Sequence, residues 1–132
     1  MPDLVCLGEL LIDFVPTVQG QRLRQVALFE KAAGGAPANV AVGFSRLGGK
    51  SAFVGKVGAD EFGHFLRETL AGAGVDTRYL LQTNEAQTGL AFVSLRADGD
   101  RDFMFYRHPA ADMLLCTEEL PGSLLDSARF FH

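Results

Sequence analysis

Apolar residues fall along this chain in short runs punctuated by glycine, with two amphipathic stretches set between them. Leu4 to Leu7 is a continuous apolar run ending at Gly8, the pattern of a strand buried on both faces and hence of a parallel sheet. Leu10 to Val15 continues extended, Pro16 to Gly20 supplies a turn, and Val26 to Phe29 predicts a weaker strand. Pro37 suits the first turn of a helix, which Ala38 to Leu47 carry forward until Gly48 and Gly49 stop it. Ser51 to Val57 is rich in β-favouring residues. Asp60 then predicts the cap of a second helix, with Phe62, Phe65, Leu66, Thr69 and Leu70 on one face and Gly72 and Gly74 at its end. Val75 to Leu81 reads as a further strand.

The order changes after that point. Gly89 to Arg96 and Arg101 to Arg107 alternate as strands do and flank Ala97-Asp98-Gly99-Asp100, where an Asp-Gly pair predicts a hairpin. Strands alternating with helices imply a parallel sheet covered on both faces, so the hairpin is expected to stand apart as an appended flap. The pattern is that of an α/β core with a small β-lid, in one folding unit. Thr117 predicts the cap of a short final helix, with Glu118 and Glu119 at its positive end, and Ala128 to His132 reads as the start of another strand.

At 132 residues and 48% hydrophobic, the chain is able to bury a substantial core. A net charge of −4 with twelve scattered basic residues argues against nucleic acid or an anionic membrane as a partner. No apolar run approaches the roughly 18 residues of a membrane span, and Met1-Pro2-Asp3 lacks the basic start of a secretory signal, so a cytoplasmic setting is expected. Cys6 and Cys116 fit neither a metal-ligand spacing nor a redox pair and read as plain thiols. His64, His108 and His132 are equally isolated, so no metal site is expected.

Gly34 and Gly35 form a glycine turn directly before the first helix, where the backbone is free to adopt positive φ and lie flat against a guest. Helix N–H groups and the helix dipole would face that guest, which suits a small polar molecule. Asp13 sits in a mostly apolar extended run, where a carboxylate must be paired or solvated. Phe105 and Arg107 share one face of their strand, and Phe92 lies on the other hairpin strand. Strand aromatics are usually core, and Glu30 and Lys31 read as a solvated pair. Gly49-Lys50-Ser51 looks like the end of a phosphate-binding loop, but the first glycine of that loop would fall at Phe44 and a helix precedes it. No G-x-G-x-x-G turn follows the first strand either.

Taken together, Gly34, Gly35, Pro37, Asn39 and Ala41, followed by Gly48 and Gly58, resemble the N-terminal sugar-binding motif of the PfkB/ribokinase family of carbohydrate kinases. Three flanking segments resemble the fructokinases within it: Gly8 to Pro16, Phe103-Met104-Phe105-Tyr106-Arg107, and Ala111-Asp112-Met113-Leu114-Leu115. The resemblance implies a ribokinase-like three-layer α/β core with a small β-sheet lid from segments near residues 10–30 and 88–108. Residues 1–132 would be the N-terminal part of one kinase domain, truncated before the nucleotide-binding half. It also implies that Asp13 hydrogen-bonds sugar hydroxyls, a carboxylate being able to accept from two at once. Gly34, Gly35 and Asn39 would contact the sugar, and Phe92, Phe105 and Arg107 would line the underside of the lid.

The family's catalytic aspartate lies in a Gly-Ala-Gly-Asp motif of the C-terminal half, and no such motif occurs here. By the resemblance, ATP and Mg²⁺ serve the full enzyme, none is bound by these residues alone, and the 132 residues by themselves are inactive. The implied reaction turns ATP and D-fructose into fructose 6-phosphate and ADP. 2-Keto-3-deoxygluconate kinase, ribokinase and a non-catalytic sugar-binding module are the alternatives. Lids of this kind also pair edge to edge, which implies a homodimer through the lid.

Overall fold

The computed structural model describes residues 1–98 and 101–132. Four strands form a wholly parallel sheet in the order β5, β4, β1, β8, made of Leu80–Thr83, Ser51–Gly58, Leu4–Leu7 and Phe130–Phe131. Every residue of β4 is buried, as a central parallel strand requires. Because side chains alternate across a strand, the sheet feeds two cores. Leu4, Cys6 and Phe53 pack with Ala38 and Ala41 of helix α1 (Ala36–Arg46) and with Leu66 and Leu70 of α2 (Glu61–Gly72). Val5, Ala52 and Val54 pack on the other face with Leu124 of α3 (Gly122–Ser127). The result is a helix, sheet, helix sandwich, the three-layer core that the sequence predicts.

The second sheet has the order β3, β2, β6, β7, made of Phe29–Gly34, Leu11–Pro16, Leu90–Leu95 and Arg101–Tyr106. The outer pairs are antiparallel, and the central pair, β2 with β6, is parallel. The hairpin is therefore not a separate flap. A two-stranded hairpin is marginal by itself, and β6 gains a partner through Ile12↔Leu90, Asp13↔Ala91 and Phe14↔Phe92. The predicted turn lies partly outside the described residues, since Gly99 and Asp100 are not among them.

Other boundaries also differ from expectation. The weak strand begins at Phe29 instead of Val26 and runs to Gly34, because pairing with β2 from Pro16↔Phe29 to Leu11↔Gly34 overrides the poor β propensity of Glu30 to Gly34. The strand expected from Val75 begins only at Leu80. Asp76 bridges to Ala52, but its carboxylate takes the Arg78 N–H at 3.0 Å, and this side-chain turn breaks the extended run. Thr117 does not cap a helix. It opens a 3-10 turn, Thr117–Glu119, preceded by Cys116, whose N–H donates to Glu119 Oε2 at 3.0 Å.

Glu119 serves another end as well. Lys56, buried in the middle of β4, donates to both oxygens of Glu119 at 2.7 Å and to the Leu114 carbonyl at 3.2 Å. The Lys56 ammonium, helped by the Cys116 N–H and thiol, draws the Glu119 carboxyl down to about 2. A buried lysine demands such a partner. Cys6 lies fully buried and its thiol is pushed up to about 11 by burial, whereas Cys116 is exposed; both are free. No helix among the described residues is long and apolar enough to cross a membrane, and none of their His, Cys, Asp and Glu side chains cluster to hold a metal ion.

Candidate functional site

The chain crosses between the two sheets four times: from β1 to β2 through Gly8-Glu9-Leu10, from β3 into α1 through Gly34-Gly35, into β6 through Thr88-Gly89, and back from β7 to β8 through the segment that holds Arg107 and Asp112. The crossings are tied together. The Ile12 N–H donates to the Gly89 carbonyl at 3.0 Å, and the Ala36 N–H donates to Glu9 Oε1 at 3.2 Å. Asp60, the cap of α2, accepts from the Gly63 N–H at 2.8 Å and from the Thr88 hydroxyl and N–H at 2.7 and 2.9 Å. The same Thr88 hydroxyl accepts from the Gly58 N–H at 3.0 Å. Burial opposes ionisation of Asp60, but these donors outweigh it and hold the carboxyl below the usual range.

Asp13 and the two glycines meet at the second crossing. A Cβ on Gly34 would stand 2.4 Å from Asp13 Oδ2, so the carboxylate lies directly over a backbone that only glycine allows so close. Gly35 caps α1 with φ of 107°, and a Cβ there would also meet the Glu9 carbonyl at 2.3 Å. Partial burial raises the Asp13 pKa, and the charge of Arg101 opposes that rise. Asn39 is exposed in the first turn of α1, its N–H donating to the Gly35 carbonyl at 3.0 Å.

The helix start is less open than the sequence implies. Ala36 spends its N–H on Glu9 and Pro37 has none, so the helix end offers fewer free donors than expected. Glu9 was not singled out by the sequence because its partner lies 27 positions away.

Sheet register sorts the remaining candidates. Asp13 pairs with Ala91 and Ala91 with Phe105, so Asp13 and Phe105 share a face. Phe103 and Arg101, at two-residue steps, share it too, and the Phe103 and Phe105 rings stack with centroids 5.6 Å apart. Phe92 lies on the opposite face, stacked on Phe14 at 4.9 Å with the edges of Phe29 and Tyr106 against it. Phe14 in turn meets Phe62 of α2 edge-on at 5.8 Å. The structure therefore brings Phe92 into the packing between lid and helix, not onto the face of Asp13. Arg101 went unnamed, although the spacing that linked Phe105 and Arg107 extends back to it.

Arg107 follows the end of β7 and turns onto Asp112, which lies in the 3-10 turn Ala111–Met113. Its Nε donates to Asp112 Oδ2 at 3.1 Å, and Nη2 donates to the same oxygen. Phe105 and Arg107, with Leu90 and Pro109, line a cleft of about 420 Å³. A larger cleft of about 620 Å³ lies at the far end of the second sheet between Arg22, Arg24, Arg96 and Asp102. It contains none of the candidate residues. Of the candidate residues, Asp13, Gly34 and Gly35 meet at the second crossing, Asn39 lies one helical turn on, and Phe105 and Arg107 line the separate cleft beside β6 and β7.

Comparison with known proteins fits this arrangement. Residues 1–132 match the family described as pfkB family carbohydrate kinase. The chain is 58% identical over 129 residues to a fructokinase of Solanum tuberosum, covering 98% of this chain and 40% of that protein. The crystal structure of fructokinase from Xylella fastidiosa superposes on all of this chain with a TM-score of 0.87 at 45% identity, 41% of that chain being covered. A sugar kinase from Pyrococcus horikoshii, solved in complex with ATP, gives a TM-score of 0.90 at 40% identity over 97% of this chain and 41% of its own. The chain thus spans about two fifths of the length of the relatives it matches.

Proposed function

Since the chain belongs to the pfkB family of carbohydrate kinases, we propose that it forms the sugar-binding part of an ATP-dependent fructokinase, working in the cytoplasm where ATP and free sugar meet. The observation that carries this reading is the Asp13 carboxylate seated over Gly34 at the junction of β3 and α1. There it would accept hydrogen bonds from two adjacent sugar hydroxyls, while the Asn39 amide donates and accepts beside it. Arg107 would hold the sugar from the lid side, and Phe105 would exclude water as the lid closes. In the whole enzyme, ATP with Mg²⁺ would supply the γ-phosphoryl group, and an aspartate outside these residues would take the proton of the primary hydroxyl. The residues here orient the acceptor.

Titrating the isotope-labelled protein with fructose tests the proposal. Saturable chemical-shift changes are expected at Asp13, Gly34, Gly35 and Asn39, with amide exchange across 101–107 slowed. Larger or tighter changes with 2-keto-3-deoxygluconate or ribose would move the specificity within the family. No saturable change with any of the three sugars would overturn sugar binding altogether.

A second reading concerns assembly, and we infer that two copies pair through β7. It is the outer strand of its sheet, and Phe103, Met104, Phe105 and Tyr106 are 51%, 41%, 47% and 57% exposed. An apolar open edge of that length invites another strand. Sedimentation should give a concentration-dependent dimer that Met104→Lys converts to monomer. A monomer at high concentration would rule the dimer out.

A further inference from the structure

Asp112 is buried, its side chain 1% exposed, against 30% for Arg107. Its Oδ2 takes both Arg107 donors, while Oδ1 is buried with no hydrogen-bond partner among the described residues. The pocket that holds it is shaped to fit. A Cβ on Gly89 would come within 2.9 Å of Asp112 Oδ1 and 3.2 Å of Arg107 Cγ, so the residue just before β6 must be small for the pair to seat. The 3-10 turn that carries Asp112 is held in turn by the Ala111 N–H donating to the Gln87 carbonyl at 2.8 Å.

An isolated buried carboxylate is expensive, and Arg107 neutralises this one. The consequence for Arg107 matters more. A flexible side chain at the end of an exposed edge strand would otherwise sample many rotamers. Here one edge of its guanidinium, Nε and Nη2, is committed to Asp112, while Arg107 also lines the cleft bounded by Leu90 and Phe105 and keeps Nη1 uncommitted to Asp112. A fork held on one side presents its remaining donors in a fixed direction.

We propose that Asp112 is a positioning residue for sugar binding, holding Arg107 so that the free side of its guanidinium meets the ligand, with Gly89 as the seat that allows the pair to form. This rests on the reading that Arg107 contacts the sugar. The hydrogen bonds of the Asp112 carboxylate, among the described residues, come from Arg107.

A double-mutant cycle in a full-length kinase carrying these residues separates the two claims. Arg107→Ala should raise the KM for fructose about tenfold or more and leave the KM for ATP unchanged. Asp112→Asn should raise the fructose KM by a similar factor, and in the Arg107→Ala background it should add nothing. No effect of Arg107→Ala would sink the sugar-contact reading and the inference with it. A normal Arg107→Ala effect with a silent Asp112→Asn, or with one that multiplies the Arg107 effect, would overturn positioning alone. Should Asp112→Asn fail to fold, the wild-type protein still decides. The Arg107 Nε–H signal should be slow to exchange and should shift on fructose addition, whereas fast exchange both with and without sugar would show that Asp112 does not hold it.

Discussion

Replacing Asp13 with alanine in a full-length kinase carrying these residues is expected to weaken fructose binding about tenfold or more while leaving ATP binding intact. The carboxylate lies over Gly34 and would lose hydrogen bonds to two hydroxyls, and bonds to a charged group are worth about 1.5–3 kcal/mol. Isothermal titration with each ligand separately makes the comparison. Equal weakening of both would mark Asp13 as structural.

The ionisation of Asp13 sharpens the test. Burial raises its pKa and Arg101 opposes that rise. A carboxyl whose pKa is raised on folding binds its proton more tightly in the folded state, so stability is favoured at low pH and declines as pH rises through the folded value. At neutral pH the ionised group therefore costs stability, and Asp13→Asn should keep or raise the melting temperature even as it weakens sugar binding. Fructose affinity should fall on acidification at a pH above the ordinary aspartate range. Arg101→Ala should move that fall higher still, because the charge that favours ionisation is gone. A melting temperature lowered by Asp13→Asn would contradict this account.

The core was legible because its signals are local. The Leu4 to Leu7 run, the glycine stop after Leu47 and the Asp60 cap each declare themselves within a few residues, and the structure places β1, α1 and α2 there. The glycine turn was legible for the same reason. What the sequence hid depends on partners far along the chain. Glu30 to Gly34 is a strand only because β2 is beside it, and Lys56 tolerates burial only because Glu119 arrives from 63 positions away. The face that Phe92 takes is not readable from an aromatic-rich hairpin, since only the register with Phe14 reveals it. Glu9 and Asp112 were passed over because a carboxylate in a loop has no visible role until its donor is in place.

Asp60→Ala is expected to cost about 2–4 kcal/mol of stability, the sum of a lost helix cap and of donors left without acceptors at a buried threonine. Thr88 would lose the acceptors for both its hydroxyl and its N–H, and Gly63 the acceptor for its N–H. For a chain of this size that corresponds to a melting temperature lower by about 10 °C. The loss should not be confined to α2. Thr88 stands two residues before β6, and its hydroxyl also receives the Gly58 N–H at the end of β4, so the network joins the core sheet, the helix and the lid. Hydrogen exchange in Asp60→Ala should therefore speed up across β6 as well as in the first turn of α2. Because the Asp60 carboxyl is held below its usual range, its contribution is present above the ordinary aspartate pKa and is lost as pH falls through the depressed one. Asp60→Asn should accordingly flatten the acid limb of the stability curve. Thr88→Val should cost less in the Asp60→Ala background than alone, since the two share the bond from the Thr88 hydroxyl to Asp60, while the Gly58 N–H loses its acceptor only through Thr88→Val. If the two losses instead add in full, the residues act separately, and the network does not couple the lid sheet to the core sheet.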